Sequence, residues 1–581
     1  MEDRNPSIDD VLKLAKSKNS RIDTDIIKKA YLYAKAKHQK QKRKSGEPYI
    51  IHPLNVAYIV AGMGLDSSTI SAALLHDVVE DTDAVYEDIE KLFSKEIAEI
   101  VEGVTKIAEA FSSAEERQAE NYKKLFTAME KDIRVILLKI ADRLHNVKTL
   151  KYLPREKQKY IAKETIDIYA PIANKLGMFK IKSELEKYAF KYLKPREYRY
   201  IYIKMNEFNK RYNSSFNKIK SDIVKICEKN KIVAKTFIER KPIYSIYKKI
   251  IENNERIEEI KDLISIRVVV GNKTKCYMTM GILMEQYQFI PSTFKDYISI
   301  PRNNMYQALQ SLLIDKKGIV FKLKICDCFM NYISKYGILA YLNSSQSNEK
   351  MIIEEKLIGI KNTLELENYL KSPKVFLQTL KNELFEEEVY VFTPEGKLVI
   401  LPKGAIVIDF AYKISEKMGD LMIGAKVNGE ETSIFQELKD GDIIEILIDE
   451  ENKIGKMDFF DSNFLDIDLI NKVKTAKARN AILKNVYLKK QINNDRNINK
   501  KIYLQLVMPD SDDLVLNLAK KIREFDINIL GIKTDYIRQS DVKINLEIEV
   551  WNLESILLIR KFLKEFSGNS NIEVKCFLSN V

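Results

Sequence analysis

From residue 8 to about 200, apolar residues recur every third or fourth position almost without a break, and no run alternates with period two. Segments such as IIKKAYLYAKAKH and EIAEIVEGVTKIAEAF carry the pattern, with short interruptions at KSGEPYIIHP, at Gly62 to Ser68 and at Leu153-Pro154. This predicts an all-helical domain over residues 1–200. Beyond it the pattern changes. DLISIRVVVGN (262–272) and GIVFKLKI (318–325) read as strands, while YSIYKKIIENN and YMTMGILMEQY read as helices, which fits an α/β domain over 201–345. A Lys- and Glu-rich helical connector follows over 346–386. Residues 387–450 read strand, turn, strand, helix, strands, a β-grasp-like module with Pro394-Glu395-Gly396 as the first turn. A polar helical segment over 451–499 leads to 500–581, whose order βαββαβ is ferredoxin-like. The chain is therefore expected to be multidomain, α and α+β.

Lys+Arg 96 against Asp+Glu 83 leaves a formal +13, which suits polyanionic partners such as nucleotide, pyrophosphate or RNA. A solvated surface rich in Lys and Asn accounts for the same number. Cys227, Cys276, Cys326, Cys328 and Cys576 form no CxxC pair, so neither a disulfide framework nor a cysteine zinc site is indicated. MEDRNPSIDD lacks the basic-then-apolar pattern of a signal peptide, and no apolar run approaches the roughly 18 residues that span a bilayer. A cytoplasmic protein without membrane contact is expected.

The four histidines, His38, His52, His76 and His145, all lie in the first domain. His76 and Asp77 are adjacent inside ALLHDVVEDT, with Glu80 and Asp81 each four residues further on. On a helix, positions i and i+4 share a face, so these four form one polar wall among Leu74, Leu75, Val78 and Val79. Asp142 and Asn146 repeat the device in IADRLHNVKT. Burying carboxylates unpaired is costly, and a divalent metal removes that cost. His52, His76, Asp77 and Asp142 offer two nitrogens and two carboxylates, a set suited to Mn, Fe or Zn. The other reading is a group of buried salt bridges or N-caps with packed histidines; four spaced elements favour the metal.

KSGEPYIIHPLNVA, ALLHDVVEDT, DIRVILLKIADRLHNVKTL and PIANKLGMFKIKSELE resemble the hydrolase half of the RelA/SpoT family of alarmone enzymes. The resemblance implies an HD-type phosphohydrolase that removes the 3′-pyrophosphate from ppGpp and pppGpp with manganese. It makes His52, His76, Asp77 and Asp142 the metal ligands and Glu80 and Asp81 the catalytic acidic pair. Asn146 and Thr149 become nucleotide contacts, and Arg43, Lys44 and Ser45 the loop beside the guanine nucleotide. A metal lowers the pKa of bound water and polarises phosphoryl oxygens, and an acid beside it can orient or deprotonate that water.

The second domain resembles the family's nucleotidyltransferase-like synthetase through RKPIYSIYKKI, DLISIR and FKDYISIPRNNMYQALQSLLI. Arg240 falls within that site, Asp262 where the family keeps a magnesium-binding carboxylate, and Tyr306 where it stacks on the acceptor guanine. The departures are larger. The family's strand F-E-I-Q-I-R-T is here Phe321-Lys322-Leu323-Lys324-Ile325-Cys326-Asp327, so the catalytic glutamate is Lys322 and the glutamine Lys324. Gln310 replaces a usual histidine. Lys322, Lys324 and Cys326 share one strand face, and Asp327 points to the other, so it does not substitute for the glutamate. A working hydrolase with a degenerate synthetase is expected; a bifunctional enzyme and a non-catalytic alarmone- or RNA-binding regulator are the alternatives.

Residues 387–450 resemble the family's TGS module and 500–581 its ACT module, without the cysteine-bearing zinc finger that usually separates them. Lys413-Ile414-Ser415 and Gly419-Asp420-Leu421 stand where ribosome-associated relatives carry tRNA-contacting histidines. Ribosome or tRNA contact is expected to be weak or absent. The ACT-like module is expected to bind a small molecule or a second copy.

Overall fold

The computed structural model describes residues 5–105, 113–342, 380, 388–448, 472–484, 500–509, 528–538, 541–550 and 573–578. The chain divides into two units, one over 1–364 with 373–386 and the other over 365–372 with 387–581. Among the described residues no helix is long and apolar enough to cross a membrane.

The first unit begins as a helical bundle in which several helix starts carry short polar caps. Ser7 and Asp10 form a reciprocal capping box before helix Ile8–Lys18. Asp66 accepts the Thr69 N–H at 2.8 Å and starts helix Ser67–Leu75. That helix is the centre of the bundle, with Ile70, Ala72, Ala73, Leu74 and Leu75 fully buried. Arg134, at the start of helix Arg134–Lys148, pairs with Asp66 and Glu96 at 2.7 Å and with Asp132 at 2.7 Å. One guanidinium thus ties the beginnings of the two helices that lead to His76 and Asp142.

Helix Pro195–Lys229, 35 residues long, starts at a proline in its first turn, runs through residue 200 and enters the α/β region. Its Phe216, Ile219, Ile223 and Cys227 pack into the core of a mixed sheet. The strands are ordered Lys235–Arg240, Ile264–Val270, Val320–Asp327, Leu309–Ile314, Gln288–Phe289, with Lys295–Asp296 also pairing to Leu309–Ile314. Ile264–Val270 and Val320–Asp327 are parallel, with Ser265 opposite Lys322 and Arg267 opposite Lys324. The first of these strands is almost wholly buried, as a central strand should be. The second alternates: Phe321, Leu323 and Ile325 are buried, and Lys322 and Lys324 stand on the opposite face.

The helical and α/β regions of this unit share one core, in which Leu176 and Met178 join Met305, Ile333, Ile338 and Leu339. The contact is backbone on backbone. Ile338 N–H donates to Leu176 O at 2.9 Å. A Cβ on Gly337, whose φ is +58°, would stand 2.2 Å from Leu176 O and 2.4 Å from the Gly177 carbonyl carbon.

In the second unit, the hairpin Glu388–Phe392 and Leu398–Pro402 turns at Gly396, φ +80°. Helix Val407–Ile414 and a sheet of Met422–Val427, Glu430–Thr432 and Ile444–Ile448 complete the grasp. Buried Asp409 accepts the N–H groups of Lys474 and Thr475 and the Thr475 hydroxyl, fastening residues 472–484 onto this module. Four C-terminal strands, Lys500–Pro509, Asn528–Arg538, Asp541–Val550 and Glu573–Leu578, form an antiparallel sheet in the order second, third, first, fourth. The first two flank the third, as in a split βαβ. The two helices expected between these strands, the connector over 346–386 apart from Leu380, and most of the helical segment over 451–499 lie outside the described residues.

Gly337→Ala is expected to lose about 2–4 kcal/mol, from overpacking and a left-handed φ together. A lower urea midpoint, with faster hydrogen exchange at the Ile338 amide, would register it; unchanged exchange there would mean the junction relaxes freely.

Candidate functional site

The helix expected through ALLHDVVEDT is interrupted. It ends at Leu75, and Val78–Asp81 forms a separate single turn, with His76 and Asp77 at the break. In an unbroken helix, neighbours diverge by about 100°. The break lets His76 and Asp77 face one point, with His76 Nε2 3.2 Å from Asp77 Oδ1. Asp77 caps no helix N–H, so a capping role does not explain it.

His52, from helix Ile51–Gly62, brings Nε2 to 3.4 Å from Asp77 Oδ2 and 3.2 Å from Asp142 Oδ1. His76 Nε2 is 3.8 Å from Asp142 Oδ1. His52, His76 and Asp142 are buried, and their ligand atoms lie within 4.8 Å of one another. Neighbouring ligands of an ion held at about 2.1 Å stand roughly 3 Å apart. The spacing and the mixed donors therefore fit a divalent cation. His76 Nε2 is also buried without a hydrogen-bond partner, while its Nδ1 donates to Ala73 O at 2.9 Å. Burial opposes charging His76, yet Asp77 and Asp142 outweigh it and raise its pKa to about 9. Burial also acts to raise Asp142, but Lys139 and the two imidazoles hold it well below the usual carboxylate range. The pocket demands positive charge at its centre.

Three further residues complete the cluster. His145 lies three positions after Asp142, on the same helix face, and its Nδ1 is 2.7 Å from His52 Nδ1. An ion at the centre would take the His52 Nε2 lone pair, which would leave the hydrogen on His52 Nδ1 and make His145 Nδ1 its acceptor. Burial, and then the neighbouring His52, hold the His145 pKa down at about 2. Lys139, three positions before Asp142, reaches Asp142 Oδ2 at 3.4 Å and donates to Val104 O at 3.2 Å. The single Tyr49 hydroxyl proton serves Asp81 Oδ2 at 2.5 Å or Asp77 Oδ2 at 2.9 Å. The i±3 spacing around Asp142 was the readable signal for His145 and Lys139. Tyr49 had none beyond its closeness to His52.

Glu80 and Asp81 stand exposed at the rim, Glu80 within electrostatic reach of Lys139. Asn146 donates to Asp142 Oδ1 at 2.6 Å, and the Thr149 hydroxyl donates to His145 O at 3.1 Å, closing the helix end. Arg43, Lys44 and Ser45 form a tight turn closed by Gly46 N–H to Arg43 O. Lys44 is exposed, Ser45 donates to Glu47 at 2.9 Å, and Arg43 lies 5.9 Å from the Tyr49 ring and within electrostatic reach of His145. The basic turn and the acidic rim thus border one buried, cation-seeking pocket.

The second-domain residues gather around a different charge pattern. Lys241 and Lys249 occupy both oxygens of Asp262, at 2.7 and 3.1 Å, and hold its pKa down at about 2 against burial. Lys324 pairs with Glu239 at 3.0 Å. Burial, then Lys324, Lys241 and Arg302, push Lys322 down to about 8. Asp327 is spent as an N-cap, accepting the Met330 N–H at 2.8 Å. Gln310 is buried, Arg240 is exposed at its strand end, and the Tyr306 ring meets Phe179 edge-on at 5.9 Å.

Residues 30–179 match the HD domain, 239–349 the region found in RelA / SpoT proteins, and 389–448 the TGS domain. The GTP pyrophosphokinase of Myxococcus xanthus is 40% identical over 79% of this chain and 60% of its own length. The guanosine-3′,5′-bis(diphosphate) 3′-pyrophosphohydrolase of Aquifex aeolicus is 40% identical over 86% of this chain and 70% of its own. Against these two relatives the chain spans between 60% and 70% of their length. A solved metazoan ortholog of SpoT, described as hydrolyzing ppGpp, is 34% identical over 24% of this chain and 84% of its own, at a TM-score of 0.22. Identity at this level across most of the chain, with all three regions in order, carries the assignment: the chain belongs to the RelA/SpoT family, of the long type.

Proposed function

We propose that the N-terminal domain hydrolyses the 3′-pyrophosphate of ppGpp and pppGpp, giving pyrophosphate and GDP or GTP, with Mn2+ as its metal. The observation that carries this is the convergence of His52, His76, Asp77 and Asp142 on one buried point. The pyrophosphohydrolase name of the Aquifex aeolicus relative supports it. Those four residues would hold the ion, which supplies Lewis acidity toward the phosphoryl oxygens and a more acidic bound water. Asp81, oriented by the Tyr49 hydroxyl, and Glu80 sit where an attacking water needs a base or an orienting acceptor. Arg43 and Lys44 offset phosphate charge, Ser45 borders them, and Asn146 and Thr149 close the nucleotide side.

The relatives carry both hydrolase and pyrophosphokinase names, so a bifunctional enzyme is the second reading. The lysines around Asp262 weigh against it. Magnesium chemistry on ATP needs carboxylates free to bind the ion, and here both Asp262 oxygens are engaged and the adjoining strand offers Lys322 and Lys324. Synthesis is read as lost. In the second unit, Asp420 accepts the Tyr412 hydroxyl at 3.1 Å, and no histidine replaces the ones the family uses toward tRNA, in keeping with weak ribosome contact. The C-terminal sheet, with the strand order of a split βαβ, suits an ACT-type module for a small ligand or self-association.

Asp142→Asn and His76→Ala are each expected to cut Mn-dependent pyrophosphate release from ppGpp by about a hundredfold or more, with Mn2+ affinity falling in parallel. Wild-type rates in either variant, measured by released pyrophosphate, would remove the metal reading. Asp81→Asn should lower the rate while leaving Mn2+ affinity within about threefold, which a calorimetric metal titration separates from ligand loss.

Incubation of the full chain with ATP, GDP and Mg2+ is expected to yield no ppGpp. Product above a no-enzyme control would make the bifunctional reading the right one.

A further inference from the structure

Two paired strands of the α/β region, Ile264–Val270 and Val320–Asp327, carry one face on which cations outnumber acids. Lys241 and Lys249 share Asp262, and Arg267 and Lys324 share Glu239, at 2.6 and 3.0 Å. Lys322 is a fifth cation. It is half-buried, lies within electrostatic reach of Asp262, Lys324, Lys241 and Arg302, and hydrogen-bonds or ion-pairs with no described side chain. A partly desolvated ammonium without a counter-ion is unfavourable, and its neighbours are already committed to each other.

The arrangement discriminates between two kinds of guest. A divalent cation would have to displace two ammonium groups from Asp262 and then add its own charge to a positive surplus. A multiply charged phosphate anion does the reverse, supplying Lys322 with the acceptor it lacks and offsetting the excess. We propose that this basic face binds a di- or triphosphate group directly through Lys241, Lys249 and Lys322, without a divalent cation and without turning it over. The inference rests on the reading that synthesis is lost, since a metal-nucleotide site would need Asp262 free.

Full-length protein stripped of metal and held in EDTA is to be titrated calorimetrically with sodium pyrophosphate and, separately, with ATP. Binding of either, unaided by Mg2+, is the expected result. Equal affinities mean that the phosphates alone are read, and tighter binding of ATP means that the nucleoside is read as well. Lys322→Gln should weaken binding roughly ten- to a hundredfold, the loss of one charge-assisted contact, while Lys322→Arg retains it. Lys249→Gln tests the same face should Lys322→Gln fail to fold. Absence of binding in EDTA, binding that appears only with Mg2+, or affinity indifferent to Lys322→Gln and Lys249→Gln would each overturn the site. The last result would move the anion elsewhere, the hydrolase pocket included. Synthesis of ppGpp from ATP and GDP reports separately on the reading beneath it.

Discussion

Two carboxylates and two imidazoles meet in a part of the chain that is otherwise aliphatic, and that meeting constrains the helical domain around it. Asp77 and Asp142 are largely withdrawn from water beside Leu74, Leu75 and Val78. Two anions so placed repel each other and lose hydration, and the surrounding groups answer both costs. Lys139 and Asn146 approach Asp142, Tyr49 approaches Asp77, and His76 tends to protonate between them. None of these satisfies the centre, where His76 Nε2 lacks a hydrogen-bond partner. A cation at that centre is the element that makes the cluster favourable. The helices must then arrive at fixed angles, which explains why Arg134 joins the starts of two of them through three carboxylates.

Much of this was legible in the sequence because periodicity and the sparse histidines reported it directly. The helical first region, the strands Ile264–Val270 and Val320–Asp327, and the alternation that puts Lys322 and Lys324 together all follow from spacing. The break at His76–Asp77 did not. Helical propensity runs unbroken through ALLHDVVED, and the interruption arises from tertiary demand, since both side chains must face one point. His145 was visible only as one of four histidines. Its partnership with His52 links positions 93 residues apart, and no local pattern encodes that distance. Gly177 and Gly337 were equally silent: each looks like an ordinary helix end until two backbones are found in contact.

In the second domain, the fold and the residues on its open strand face answer to separate constraints. In the strand Val320–Asp327, Phe321, Leu323 and Ile325 build the core and are fully buried, while the opposite face carries the residues that would meet a nucleotide. Because the two faces alternate, Lys322 and Lys324 alter the open face without moving a core contact. The rest of the domain stays under constraint from a different direction. Met305 and Ile338 complete the core of the helical domain, and Ile338 hydrogen-bonds to Leu176. Removing the α/β region would expose that apolar surface and leave the Leu176 carbonyl unpaired. Retention of the domain is therefore no argument for retained synthesis. What the strand's open face carries is positive charge, and that face, not the fold beneath it, determines what can bind there.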